Sequence, residues 1–249
     1  MARLDGKTAL ITGGTTGIGL ETAKLFQQEG ARIALTGQNQ ERLNEAAQKL
    51  GSETVAIRAN MQSLADIEAM ALQVKEQLGG LDVLFVNAGI TKSASLAEVD
   101  EPHIDEQMGI NFKGAFFTIQ KVVPFIRDRG SIVLTTSCLN QMGMPGMSIY
   151  AASKAALRSL AQTLSAELTE RGIRINAVSP GPIETPAYSK LGLPQEALQQ
   201  MAGQLVEKVP MRRFGQPEEI ARAALFLASE DSSFMLGEEL VVDGGWAEL

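Results

Sequence analysis

Thr8-Ala-Leu-Ile-Thr-Gly-Gly-Thr-Thr-Gly-Ile-Gly19 is the stretch that decides the fold. Thr8 to Thr12 is a short apolar run that suits a buried strand. From Gly17 the residues Leu20, Ala23, Leu25 and Phe26 recur with helical spacing as far as Glu29, and Gly30 is placed to end the helix. Gly13, Gly17 and Gly19 stand between the two elements, where a strand-to-helix turn needs open dihedrals and close approach to a ligand. The helix N-terminus offers free N–H groups and the positive end of its dipole to a pyrophosphate. A glycine-rich turn alone is weak evidence; after the first strand of a βαβ unit it is strong.

The alternation continues along the chain. Strand-like runs at 32–36, 54–58, 81–86, 131–136, 174–178 and 239–242 are separated by amphipathic runs. These pass through Leu43–Leu50, Ala65–Leu78, His103–Ile126 with a bend near Gly114, Tyr150–Glu170 and Gln216–Ser229. The pattern predicts an α/β fold: a Rossmann-type doubly wound parallel sheet of about seven strands with helices on both faces. No linker or repeat interrupts it, so one domain is expected over residues 1–249. The stretch 180–213, rich in Pro and Gly, reads as irregular. A loop that long in a compact domain is usually functional, and it is expected to be a substrate-binding loop or lid.

A formal net charge of −7 and a pI near 4.9 argue against nucleic acid and anionic membranes as partners. No stretch approaches the roughly eighteen apolar residues of a membrane span. The first residues lack the apolar core of a signal peptide. Cys138 is the only cysteine and His103 the only histidine. An intrachain disulfide and a Cys/His zinc site are thereby excluded, no metal is expected, and a reducing cytoplasm is the expected location.

The chemistry concentrates between Ser137 and Lys154. Tyr150 and Lys154 stand four apart on a helical run, so a phenol and an ammonium share one face. Tyrosine, with a pKa of about 10, is a poor proton carrier at neutral pH. A cation about 4 Å away at an effective dielectric near 20 favours phenolate by about 4 kcal/mol, or roughly 3 pKa units. Such a tyrosine exchanges a proton with an alcohol.

Together these segments resemble the short-chain dehydrogenase/reductase family in its single-domain form, and the resemblance covers essentially the whole chain. Thr12-Gly13-x3-Gly17-x-Gly19 looks like the family's cofactor loop, and Asn87-Ala88-Gly89 like its sheet-stabilising, adenine-side turn. Asn111, Ser137, Tyr150 and Lys154 match its catalytic tetrad one by one. Pro180-Gly181 matches the nicotinamide-side turn, Thr185 the threonine that meets the carboxamide, and Asp243-Gly244-Gly245 the C-terminal signature. Thr15, Thr16, Ile18, Gln38, Asn60, Met61 and Ile183 are implied as further cofactor contacts. Asn60 departs from the aspartate often found there.

The resemblance implies Tyr150 as general acid in reduction and base in oxidation. Lys154 lowers its pKa and bonds the nicotinamide ribose, Ser137 donates to the substrate carbonyl, and Asn111 holds a water linking Lys154 to solvent. It also implies a homotetramer. The expected activity is hydride transfer between NAD(P) and a ketone/secondary alcohol pair. Thr36-Gly37-Gln38-Asn39 carries neither a carboxylate to repel a 2′-phosphate nor an arginine to grip one, and on that basis NADP(H) is favoured with NAD(H) possible. Leu139, Met142, Met144, Met147, Ile183, Tyr188, Leu191 and Leu193 are expected to line a pocket for a hydrophobic, bulky substrate. The alternatives are a 3-oxoacyl-(acyl-carrier-protein) reductase and, in a different class, a non-catalytic dinucleotide-binding regulator.

Overall fold

The computed structural model describes residues 2–186, 195–247 and 249, with the side chain of Ala197 left aside. Seven strands form one parallel sheet: β1 (Thr8–Ile11), β2 (Arg32–Gly37), β3 (Val55–Arg58), β4 (Leu81–Val86), β5 (Ile126–Thr135), β6 (Arg174–Pro180) and β7 (Glu239–Val242). Their spatial order is β3-β2-β1-β4-β5-β6-β7. The chain winds outward from β1 through β2 to β3, then crosses back to β4 and winds the other way. The C-terminal ends of β1 and β4 therefore diverge into a crevice at the switch point, where such sheets bind ligands.

Period-two side-chain alternation builds a core on each face. Leu10, Leu84, Ile132 and Ile175 point to one side, against α3 (Leu64–Leu78), α5 (Ala115–Val122) and α6 (Ser148–Leu168). Ala9, Phe85, Val133 and Val178 point to the other, against α1 (Gly17–Gln28), α2 (Gln40–Leu50) and α8 (Pro217–Ala228). Local signals fix the helix ends. Asn39 and Ser63 cap α2 and α3 through side-chain oxygens, and Gln216 with Glu219 forms a capping box on α8.

Two sequence expectations are corrected. The helix expected over His103–Ile126 is α4 (Glu101–Met108), a π-helical turn (Gly109–Gly114), α5 and a 3-10 turn (Val123–Phe125). Pro124 ends the helical run, and β5 begins at Ile126 instead of Ser131. Its polar start, Arg127 to Gly130, hides the strand from a hydrophobic reading, and the β4–β5 register shifts beside it. Gly114 closes the π turn where the chain passes the Met61 carbonyl oxygen, which a Cβ would approach to 2.4 Å. The second correction is in 180–213, which is not one irregular loop. It contains α7 (Gln195–Lys208).

Candidate active site

The turn after β1 is built so that chain passes where side chains cannot. Gly13 and Gly17 have φ of +64° and +53°. A Cβ on Gly13 would fall 2.9 Å from Ala88 Cα, and one on Gly19 would fall 2.3 Å from the Gly13 carbonyl oxygen. Asn87 ties the turn to the sheet: Nδ2 donates to the carbonyls of Thr12 and Gly13, each at 3.2 Å, and Oδ1 accepts from Thr135 Oγ1. Buried Thr12 accepts from the N–H groups of Asn87 and Ala88. Thr15, Thr16, Gly17 and Ile18 remain half-exposed at the crevice. No side chain caps α1 at Thr16 and no acid sits in its first turn. This open, positive helix end framed by glycines fits a dinucleotide pyrophosphate.

Across the crevice lies the turn after β6. Gly181 abuts Asp243, where an added Cβ would lie 2.6 Å from Cα. The Asp243 carboxylate accepts from Gly245 N at 2.8 Å and Ala247 N at 2.7 Å, so the Asp-Gly-Gly signature is a turn holding the chain end against β6. Thr185 faces the phosphate loop, its Cγ2 standing 3.2 Å from the point where a Gly17 Cβ would be. Pro180 and Ile183 are buried beside this turn. At the other end of the crevice Gln38 is exposed. Asn60 sits at the end of β3, its N–H held by Asp66 and its Oδ1 by Gln62 N. Met61 is buried against Thr118 and Gly114.

Ser137, Tyr150 and Lys154 come together at the C-terminal end of β5. Ser137 leaves β5 in extended conformation and starts a 3-10 turn, its Oγ accepting from Leu139 N at 3.3 Å. Lys154 is 4% exposed, donates to the Thr135 carbonyl at 2.7 Å and lies 5.7 Å from the centre of the Tyr150 ring. Burial pulls its pKa down to about 8. Burial also raises the Tyr150 pKa, while hydrogen bonds from Ser137 and Thr91 work to lower it. The expected depression by Lys154 is not met in this geometry: the ammonium is committed to a backbone carbonyl, and desolvation of the phenol dominates.

Asn111 is fully buried in the π turn. Its Nδ2 donates to Ile90 O and Ser153 Oγ, and its Oδ1 accepts from Ile90 N at 2.8 Å. Gly89 runs between it and Lys154: a Cβ there would lie 3.2 Å from Asn111 Oδ1 and 3.4 Å from Lys154 Nζ. Asn111 thus clasps the segment after β4 to α6.

Leu139 is buried, while Met142, Met144 and Met147 are half-buried between Ser137 and Tyr150. Tyr188, Lys190, Leu191 and Leu193 lie outside the described residues. Cys138 is buried with its thiol pushed up to about 12, chiefly by desolvation, so it is unreactive. His103 bonds Gln107, whose Oε1 accepts from Lys92 N, which gives the histidine a supporting role away from the tetrad.

Sequence reading missed three neighbours of this site. Thr91 works to lower the pKa of the phenol from a loop with no motif of its own. Arg58 reaches the end of β2 from β3, donating through Nε to the Gln38 carbonyl at 3.2 Å. Glu239, its side chain 2% exposed, accepts from Thr136, Asn140, Gln141 and Arg158. Strand pairing brings Arg58 to Gln38, and the β6–β7 pairing brings Glu239 beneath the serine loop. No local pattern in the chain records either.

Comparison with known proteins bears on this geometry. A family model described as enoyl-(acyl carrier protein) reductase matches residues 13–247. An oxidoreductase of Sarocladium schorii is 42% identical, the match covering 99% of this chain and 98% of that protein. A 3-oxoacyl-(acyl-carrier-protein) reductase of Thermotoga maritima is 40% identical over 98% of both. Among solved structures, a 3-ketoacyl-(acyl-carrier-protein) reductase from Brucella melitensis complexed with NADH superposes with a TM-score of 0.89 at 28% identity, covering 98% of this chain and 99% of that one. A nicotinamide-dinucleotide-dependent oxidoreductase is the class of protein that this fold and these relatives define. The chain belongs to the short-chain dehydrogenase/reductase family. Among the described residues no helix is long and apolar enough to cross a membrane.

Proposed function

We propose that the chain reduces, or in reverse forms, a hydrophobic, bulky ketone, using NADP(H) in preference to NAD(H), with Asn111, Ser137, Tyr150 and Lys154 as its catalytic tetrad. The observation that carries this reading is the Lys154 ammonium, buried and 5.7 Å from the centre of the Tyr150 ring, on the same helix face and next to the Thr135–Ser137 strand end to which it donates. Bound nicotinamide supplies or accepts the hydride. Ser137 Oγ donates to the substrate carbonyl oxygen and supports the charge that grows there. Tyr150 Oη gives that oxygen its proton in reduction and removes it in oxidation. Lys154 holds positive charge under the phenol and would bond the nicotinamide ribose, and Asn111 would hold a water linking Lys154 to solvent. The α1 N-terminus would hold the pyrophosphate, and Asn60, Met61 and Ala88 would border the adenine.

The substrate reading rests on Leu139, Met144, Met147 and Ile183, an apolar border with no arginine for a carboxylate or phosphate. The segment 180–213 is the substrate-binding lid. Its two roots are joined by an isolated parallel bridge and by Gln216 Nε2 donating to Glu184 at 2.9 Å. The single domain works as a cytoplasmic homotetramer; light scattering that finds a stable monomer refutes the assembly. The test of the activity is a matched panel of aryl ketones, short aliphatic ketones, keto acids and sugars with each cofactor. Highest kcat/KM for aryl ketones with NADPH is expected, and keto acids or sugars in first place overturn the pocket reading.

A second reading is reduction of an acyl-carrier-protein substrate, favoured by the Thermotoga maritima relative. An acidic carrier needs free basic surface. Arg213 lacks it: its guanidinium is held by both oxygens of Glu219, at 2.8 and 2.7 Å. Carrier-protein titration separates the readings, since saturation at micromolar carrier with acceleration of acyl reduction favours the second.

A further inference from the structure

The end of β2 has no charged side chain of its own, yet a cation reaches it from the neighbouring strand. Gly37 and Arg58 are register partners in the parallel β2–β3 pair. Such partners direct their side chains to the same face of a sheet. Gly37 identifies that face: a Cβ there would fall 2.3 Å from Thr15 Cγ2 in the phosphate loop. Arg58 therefore leaves the sheet on the side where the loop would present a dinucleotide. Its Nε donates to the Gln38 carbonyl at 3.2 Å, which fixes the stem of the guanidinium at the β2 terminus.

The terminal nitrogens of that guanidinium have no committed acid. Among the described residues Arg58 is in no salt bridge. Asp66, the carboxylate that feels its charge, is already bonded to Asn60 N at 2.9 Å and to Ser63 Oγ at 2.8 Å. The neighbouring α2 N-terminus is closed by Asn39 Oδ1, which accepts from Arg42 N at 2.9 Å. An exposed guanidinium, anchored at one nitrogen and facing the ribose end of a dinucleotide crevice, is a bidentate receptor for a phosphate.

We propose that Arg58 builds an anion subsite for the 2′-phosphate of the adenosine ribose. The subsite rests on the NADP(H) reading above and supplies the cation that the β2 terminus itself lacks. Gln38 and the Asn39 amide add neutral donors, and Gly37 keeps the approach clear of a Cβ.

The test is ligand binding to the intact protein, with turnover not required. Affinities for 2′,5′-ADP, 5′-ADP, NADPH and NADH are measured by calorimetry or nucleotide fluorescence for wild type, Arg58→Gln and Arg58→Lys. Wild type is expected to bind 2′,5′-ADP more tightly than 5′-ADP. Arg58→Gln should weaken 2′,5′-ADP and NADPH by about tenfold to a hundredfold, the range for a lost charge-assisted pair. Affinity for 5′-ADP and NADH should stay within about twofold, which also reports an intact fold, and Arg58→Lys should recover part of the loss. A wild-type preference that survives Arg58→Gln, or a loss equal for both ligand types, overturns the subsite while leaving the cofactor reading standing. A wild type that binds 2′,5′-ADP no more tightly than 5′-ADP overturns both.

Discussion

Asn140 Nδ2 donates to the buried carboxylate of Glu239 at 2.7 Å, which ties the turn after Ser137 to the edge strand β7. The same carboxylate accepts from Thr136 on the other side of the serine, and from Arg158 one turn beyond Lys154 on α6. One acceptor thus braces both elements that carry the site. Glu239→Ala leaves these donors unmatched, each at a cost of about 1–3 kcal/mol where buried. We expect a lower Tm and a fall in kcat that exceeds any change in dinucleotide affinity. Because the Ser137 bond works to lower the Tyr150 pKa, loosening Ser137 should also shift the basic limb of the pH–rate profile upward. Glu239→Gln, still an acceptor on one oxygen, should fall between. An Ala variant with unchanged kcat and profile sinks the brace.

Tyr150→Phe removes the proton carrier and keeps the ring over Lys154. Turnover should drop by about 10²–10⁴-fold with dinucleotide binding intact. Steady-state rates with cofactor titration check this, and retention of a tenth of wild-type kcat contradicts the assignment.

Lys154 makes stability depend on pH with a definite sign. Its folded pKa of about 8 lies below its ordinary 10.5. Under pH 8 both states hold the proton, and the folded state bears the full cost of a buried cation. Between pH 8 and 10.5 only the unfolded chain is protonated, so this group raises stability with pH by up to about 1.4 kcal/mol per unit. Tyr150, whose folded pKa is raised, acts oppositely above pH 10, where the unfolded chain ionises first. Lys154→Met should therefore be more stable than wild type at pH 7, the gap closing as pH climbs from 8 to 10. Urea unfolding of both proteins across that range measures it, and a constant gap would falsify the claim.

Gly19→Ala should damage both fold and cofactor loop, because the added methyl meets the Gly13 carbonyl oxygen at 2.3 Å and, at 2.7 Å, Asn87 Nδ2, which is held by the Thr12 and Gly13 carbonyls. We expect dinucleotide affinity to fall by at least about tenfold with a lower Tm, roughly 1–3 kcal/mol of overpacking. Gly143→Ala, where no atom lies within 4 Å of the new methyl, is the matched control and should leave both unchanged.

The sheet was legible because parallel strands buried on both faces read as short apolar runs, and glycines marked their exits. The glycine turn after β1 and the closeness of Tyr150 to Lys154 were legible because each is set by spacing local in sequence. The reading failed where an element is set by its surroundings. The first half of β5 is polar and joins the sheet through pairing with β4, and α7 lies in a stretch whose prolines and glycines suggested none. The Tyr150 pKa was misjudged for the same reason: four-residue spacing predicts a shared helix face, but only packing decides how deeply a phenol is buried and which acceptor takes the ammonium.

The π turn at Gly109–Gly114 makes residue count itself part of the active-site code. A wider turn is what a helix adopts when it accommodates a surplus residue. Deleting Ile110 would let α4 and α5 fuse into one unbroken α-helix, but would swing Asn111 by about 100° about the axis, away from Ile90 and Ser153. Such an excision should yield a sturdier helix and a dead enzyme. An insertion elsewhere in the same helix would be just as harmful without altering any named side chain. The identity of residue 111 therefore matters only while its reading register along the helix is preserved.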